Sequence, residues 1–169
     1  MKHVFVAIMA AALTLAAAEV PQAGVAAPPV SLPAQDGKTV QLTDFPGKWI
    51  VLYFYPRDMT PGCTVEAHNF QRDLDKYTAA DAVILGVSVD STESHTQFCT
   101  KESLTFHLLS DPEHKVVEEY GSYKTPPGFA MRNTFLISPD GKIARVWTGV
   151  NPAHHSEEVL AALADLQKK

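Results

Sequence analysis

The residue with the clearest chemical potential is Cys63, because of what surrounds it. Pro56, Arg57, Thr60, Pro61 and Gly62 precede it, and Thr64, Val65 and Glu66 follow. The bulky apolar run Trp49 to Tyr55 predicts a buried strand that Pro56 ends. Thr60-Pro61 then has the form of a helix N-cap followed by proline in the first helical position. Cys63 falls at the third helical position, where unpaired backbone N–H groups and the positive end of the helix dipole meet. A thiol placed there, with Arg57 nearby in sequence, is a candidate reactive thiolate. From Cys63, the residues Ala67, Phe70, Leu74 and Tyr77 recur at helical spacing. That pattern predicts one amphipathic helix whose buried stripe begins at the cysteine.

The chain has 2 cysteines. A pair of cysteines in an exported protein has a bland explanation, one structural disulfide with no chemistry. A core built from ~150 residues does not need such a staple, and the helix-start setting of Cys63 favours chemistry. Cys99 has His95 one helical turn before it, and a buried free cysteine behaves as a small apolar residue. The cysteines and the 7 histidines form no zinc-ligand spacing. Cys63 and His68 are wrongly separated for one, and His154-His155 suits a solvated loop or helix start.

The elements that must position Cys63 are legible as a pattern. Val30 to Asp44 holds two short segments about Asp36-Gly37, a hairpin signal. Ala82 to Val89 is a second buried strand, apolar on both faces as in a parallel sheet. Asp90-Ser91 caps a helix through about Ser103 that contains Cys99, and Phe106 to Leu109 is a short strand. Asp111-Pro112-Glu113 opens a further helix ending at Tyr120-Gly121. Lys124 to Gly128 is a Pro-Pro-Gly loop. Asn133–Ile137 and Ile143–Thr148 flank Pro139-Asp140-Gly141, a second hairpin signal. Val159, Leu160, Leu163 and Leu166 mark a C-terminal helix. Strands and helices in this order predict an α/β domain with a mixed sheet.

The chain begins differently. Met1-Lys2-His3 is followed by a small or apolar run from Val4 to Ala18, broken only by Thr14, with Ala16-Ala17-Ala18 as a cleavage motif. This is the pattern of a secretory signal peptide, residues 1–18, shorter than the ~20 apolar residues a membrane span needs. A second possible cut lies after Ala27. Residues 19–29, rich in Ala and Pro, are expected to be a flexible tether, and residues 30–169 a single domain. The 169 residues carry a net charge of −5, are 46% hydrophobic and 20% charged, and have no basic run beyond Lys168-Lys169. That composition argues against a nucleic-acid partner and, after cleavage, against a membrane partner.

The segment Pro56-x-x-x-Thr60-x-x-Cys63 resembles the active-site signature of the peroxiredoxins. Its extension Thr60-Pro-Gly-Cys-Thr-Val-Glu-Ala67 is similar to the bacterioferritin-comigratory, or PrxQ, branch, and Arg132-x-Thr134-Phe135-Leu136-Ile137 to the segment carrying that family's arginine. The likeness runs from about Pro29 to the C-terminus. It implies a thioredoxin-like fold with an added N-terminal hairpin. It further implies a thiol peroxidase without cofactor, monomeric, acting on hydrogen peroxide and organic hydroperoxides and recycled by a thioredoxin-like reductant. By the same resemblance Cys63 attacks the peroxide, Thr60 orients both, Pro56 shields the site and Arg132 supplies the guanidinium, with a minor role open to Glu66. In many such chains the resolving cysteine lies five residues after the first; His68 stands there in this one. Other members of the branch resolve from the helix after the next strand, and by that resemblance Cys99 is the expected resolving residue. Two other readings remain: an exported thiol–disulfide oxidoreductase, against which Thr60 stands where a Cys-x-x-Cys would begin, and a non-enzymatic domain with a structural disulfide.

Overall fold

A computed structural model describes residues 18–168; the expected signal peptide lies almost wholly outside them. Strands β1 (Ser31–Pro33) and β2 (Thr39–Gln41) pair antiparallel as the predicted N-terminal hairpin. They lead into β3 (Trp49–Phe54), the axis of the molecule. After β3 come α1 (Pro61–Arg72), α2 (Leu74–Ala79) and β4 (Ala82–Ser88). Then follow α3 (Thr92–Glu102), β5 (His107–Ser110) and α4 (Lys115–Glu119). The expected Pro-Pro-Gly loop is present as a turn over residues 125–128, flanked by the short pair β6 (Tyr123–Lys124) and β7 (Phe129–Ala130). The hairpin β8 (Thr134–Ile137) and β9 (Ile143–Trp147) and the helix α5 (His155–Leu166) complete the chain.

The central sheet has the order β5-β4-β3-β8-β9. β3 runs parallel to β4, and β4 to β5, whereas β8 is antiparallel to both β3 and β9. This is the mixed, helix-flanked sheet of a thioredoxin-like fold. Alternation along β3 divides the core in two. Ile50, Leu52 and Phe54 face a layer made with the hairpin, Val116, Val117 and Tyr120. Val51, Tyr53 and Tyr55 face the layer that holds Cys63, Phe70, Tyr77, Phe98, Cys99, Val159 and Leu163. Both cysteines therefore belong to the same side of the sheet.

Three expectations need correction. The helix from Cys63 through Tyr77 is two helices broken at Asp73, where φ is −95° and ψ 5°. The buried Asp73 carboxylate accepts from Arg72, Lys76 and Ser156, and these partners hold the break open. The helix expected from Asp111 starts only at Lys115. The Asp111 carboxylate instead caps it, accepting from the backbone N–H of Lys115 and Val117. The stretch 19–29, expected as a tether, is strapped to the fold. Gly24 and Val25 exchange backbone hydrogen bonds with Ile143, Ala27 donates to Gly141, and Tyr120 donates to the carbonyl of Pro28. A side chain at Gly121, whose φ is +57°, would lie 2.6 Å from the backbone nitrogen of Val20. The strap covers the outer edge of β9 at its first residue, Ile143, as Gln35 covers that of β5 by bonding Phe106 and Leu108. Covered edges remove the template for strand addition from another chain.

Candidate active site

Thr60 takes the N-cap place of α1 with φ −79° and ψ 150°, and Pro61 is the first helical residue. The Thr60 carbonyl accepts the first helical bond, from Thr64 at 2.9 Å. Its hydroxyl does not cap; it donates to the carbonyl of Arg57 at 3.0 Å. The hydroxyl oxygen keeps its lone pairs free at the helix mouth. Cys63 is 2% exposed, at the third position, within the first turn whose N–H groups have no intrahelical acceptor. Pro56 is half-buried at the end of β3. Arg57 is exposed and contributes its carbonyl rather than its charge.

The guanidinium at the thiol is that of Arg132. Its Nη2 lies 3.4 Å from Cys63 Sγ, and its Nη1 donates to Glu66 Oε2. The arginine is delivered by the chain just before β8. Asn133 fixes that segment: its carbonyl accepts from Phe54, its amide nitrogen donates to Ser122, and its amide oxygen accepts from Gly149. Gly62 provides the clearance, because a Cβ there would stand 3.3 Å from Arg132 Nη2. Glu66 is 1% exposed, and its Oε1 has no partner, nor has the hydroxyl of Tyr53. Burial pushes the Glu66 carboxyl up to about 7 against the pull of Arg132.

A second buried cluster, which sequence reasoning missed, joins the loop before Cys63 to α3. Asp58 accepts from the Tyr55 hydroxyl at 2.7 Å and the Ser94 hydroxyl at 2.7 Å. It also meets His95 Nδ1 at 2.8 Å, while His95 Nε2 faces the carbonyl of Leu109 at 3.1 Å. Both ring nitrogens thus face oxygen atoms in the core. Burial raises the Asp58 carboxyl, but the hydrogen bond and charge of His95, with the two hydroxyls, outweigh it and hold it below the usual range. The only sequence signal was the spacing of His95 and Cys99 at i, i+4. Cys99 itself is free, as is Cys63, and burial with the charge of Asp58 pushes its thiol up to about 11. His68 is exposed on α1 and pairs with Glu102 on α3 at 2.8 Å. Among the described residues, no group of three or more His, Cys, Asp and Glu could hold a metal ion.

Residues 23–146 match the AhpC/TSA family. The chain is a peroxiredoxin of that family. It is 43% identical over 152 residues to Peroxiredoxin Bcp of Bacillus subtilis, covering 86% of this chain and 97% of the relative. Peroxiredoxin Bcp of Escherichia coli K12 is also 43% identical, over 82% of this chain and 93% of its own. Among solved structures, a mutant of Xylella fastidiosa PrxQ superposes with a TM-score of 0.81 at 32% identity, over 89% of this chain and 99% of that one. Peroxiredoxin Q of Xanthomonas campestris gives 0.78 at 35% identity, over 89% and 98%. Peroxiredoxins are peroxidase oxidoreductases dependent on a thiol reductant, which sets this one among the antioxidant enzymes.

Proposed function

We propose that this peroxiredoxin reduces hydrogen peroxide and organic hydroperoxides through a sulfenic acid on Cys63, resolved by Cys99 and recycled by a thioredoxin-like donor. The observation that carries this reading is the contact of Arg132 with Cys63 Sγ at the start of α1. The guanidinium and the helix start together favour a negative sulfur and the charge that develops on the peroxide oxygens. Thr60 has a hydroxyl oxygen free to orient the substrate, and Pro56 limits water.

Resolution requires Cys99 to leave its burial. Where it lies, its thiol is held neutral, and exposure would return it toward its ordinary range and make it a better nucleophile. Thr92, Ser94, Thr96 and Thr100 make α3 a weak helix, so local unwinding is the natural route. Exposed Met59 and Val65 flank the Cys63 turn and offer a reductant apolar contact. The enzyme works as an exported, periplasmic monomer. Cleavage after Ala18 is supported over cleavage after Ala27, because the latter would remove the strap bonds of Gly24 and Val25.

The test is one equivalent of peroxide on the reduced protein, followed by peptide mass spectrometry and circular dichroism. The expected product is an intramolecular Cys63–Cys99 disulfide with reduced helix content, and Cys99→Ser should over-oxidise to Cys63 sulfinic acid. Sulfinic Cys63 beside a free Cys99 in the unsubstituted protein would make this a one-cysteine enzyme.

A further inference from the structure

Arg132 serves two buried acids at once. One guanidinium hydrogen-bonds both Cys63 Sγ and Glu66 Oε2, three residues apart on the inward side of α1. Cys63 is 2% and Glu66 1% exposed. A thiolate and a carboxylate together would leave an excess negative charge away from water, which is costly. The two acids therefore compete for one cation, and their protons are coupled. With Cys63 negative, the proton belongs on Glu66, whose Oε1 is free of any other partner. Burial already raises the Glu66 carboxyl to about 7, so the neutral form is populated near neutral pH. The other titratable groups packed around it do not disturb this. Tyr53 of β3 is held neutral by burial, and His155 at the start of α5 is pushed down by burial and turned toward Thr134 and Glu158. Asp58 is paired with His95.

Peroxide reduction has a matching proton demand. Attack of the sulfur anion forms an S–O bond and breaks the O–O bond, and the departing RO⁻ is a poor leaving group unless protonated. We propose that Glu66 supplies that proton. Cys63–S⁻, Glu66–COOH and ROOH become Cys63–S–OH, Glu66–COO⁻ and ROH. Sulfur loses two electrons and the O–O bond gains them. The hydrogen of the peroxide stays on the sulfenic oxygen, and the carboxyl hydrogen goes to the leaving oxygen. The negative charge that leaves sulfur reappears on Glu66, so Arg132 is matched by one anion before and after. This step rests on the peroxidase reading of Cys63.

The experiment compares two oxidants in single-turnover stopped flow on the reduced protein. tert-Butyl hydroperoxide must expel an alkoxide, whereas a peracid expels a carboxylate that needs no proton; its rate constants are referred to the undissociated peracid. Glu66→Gln can still accept from Arg132 but has no acidic proton. The ratio of the hydroperoxide to the peracid rate constant should fall roughly tenfold or more in this variant. Alkylation by iodoacetamide, whose leaving iodide needs no proton, should not slow. In the unsubstituted enzyme the same ratio should decline as pH rises through about 7 and the carboxyl ionises. A ratio unchanged in Glu66→Gln overturns the proposal. If that variant does not fold, a ratio that stays flat across the pH series overturns it instead. Failure of the peroxidase reading looks different: Cys63 of the unsubstituted protein then reacts with neither oxidant.

Discussion

Replacing Arg132 with Met removes the guanidinium but keeps an unbranched side chain at a position 16% exposed. The guanidinium nitrogen lies 3.4 Å from Cys63 Sγ, and at an effective dielectric of about 20 a charge pair at that distance is worth ~5 kcal/mol. That figure is a ceiling. The helix-start N–H groups remain in the variant, the thiol can stay neutral when nothing attracts a negative sulfur, and water can enter beside the methionine. Glu66 loses its hydrogen-bond partner and, at 1% exposure, turns neutral rather than standing as an unpaired buried anion. What is lost in the transition state is one oriented, charged donor. Such losses cost ~10²–10³ in rate, or about 2.7–4 kcal/mol. The assay is single-turnover oxidation of Cys63 by hydrogen peroxide in stopped flow, with iodoacetamide alkylation at neutral pH measured in parallel. Both should slow, and Arg132→Lys, which keeps a charge but not the two-pronged geometry, should fall between. A Met variant that oxidises within about threefold of the unsubstituted rate would refute the electrostatic role, whatever its alkylation shows.

Glu66→Gln should also change stability in a pH-dependent way. The Glu66 carboxyl is raised in the fold from 4.5 to about 7, so the native state holds the extra proton and stability falls as pH rises through that window. The amide has no such loss, and the melting-temperature difference between variant and parent should move in favour of the variant between pH 5 and pH 8, by the equivalent of about 2.5 kcal/mol; a difference independent of pH would contradict the raised carboxyl. Asp58→Ala leaves His95 buried without its anion and should destabilise the fold by ~3–5 kcal/mol, as loss of one partner of a buried pair does. Hydrogen exchange should then accelerate first at the N-terminal turn of α3, and uniform acceleration across the sheet would show that the cluster is not a local anchor.

The parts of this architecture that depend on neighbours in sequence could be foreseen. The strand into Cys63, the helix that Thr60 and Pro61 begin, the hairpin at Asp36-Gly37 and the two buried parallel strands all follow from periodicity and turn chemistry within a few residues. The parts that failed depend on residues far away. The break at Asp73 is held by Ser156 of α5 and by Glu157, which reaches Arg72. The strap of residues 24–27 lies along Ile143, so its order comes from an unsatisfied strand edge that composition does not reveal. At the site, Cys63 and Thr60 were legible from spacing and Arg132 from family likeness. The Asp58–His95 pair was not, since nothing local indicates that two polar residues 37 positions apart meet in the core.

That pair also decides which end of α3 can open. The N-terminal turn is fixed by the Ser91 hydroxyl accepting from Ser94, and by Ser94 and His95 on Asp58, with His95 fully buried. The C-terminal turn is fixed more lightly. Ser103 closes it in a left-handed conformation with φ 54°. Beyond it stand the backbone bond from Leu104 to the Cys99 carbonyl, the buried Leu104 side chain, the His68–Glu102 contact, with His68 51% exposed, and the exposed bonds between Gln71 and Thr105. An exposed ion pair is worth ~0–1 kcal/mol, whereas breaking a buried one costs several. Unwinding from Ser103 back to Cys99 leaves the buried Asp58–His95 contact intact, whereas unwinding from Ser91 forward breaks it. On the proposed resolution by Cys99, this asymmetry would let the residue come loose toward Cys63 while Asp58 stays anchored. The loop that carries Thr60 would then keep its shape during the proposed resolution, because Asp58 remains tied to Ser94 and His95.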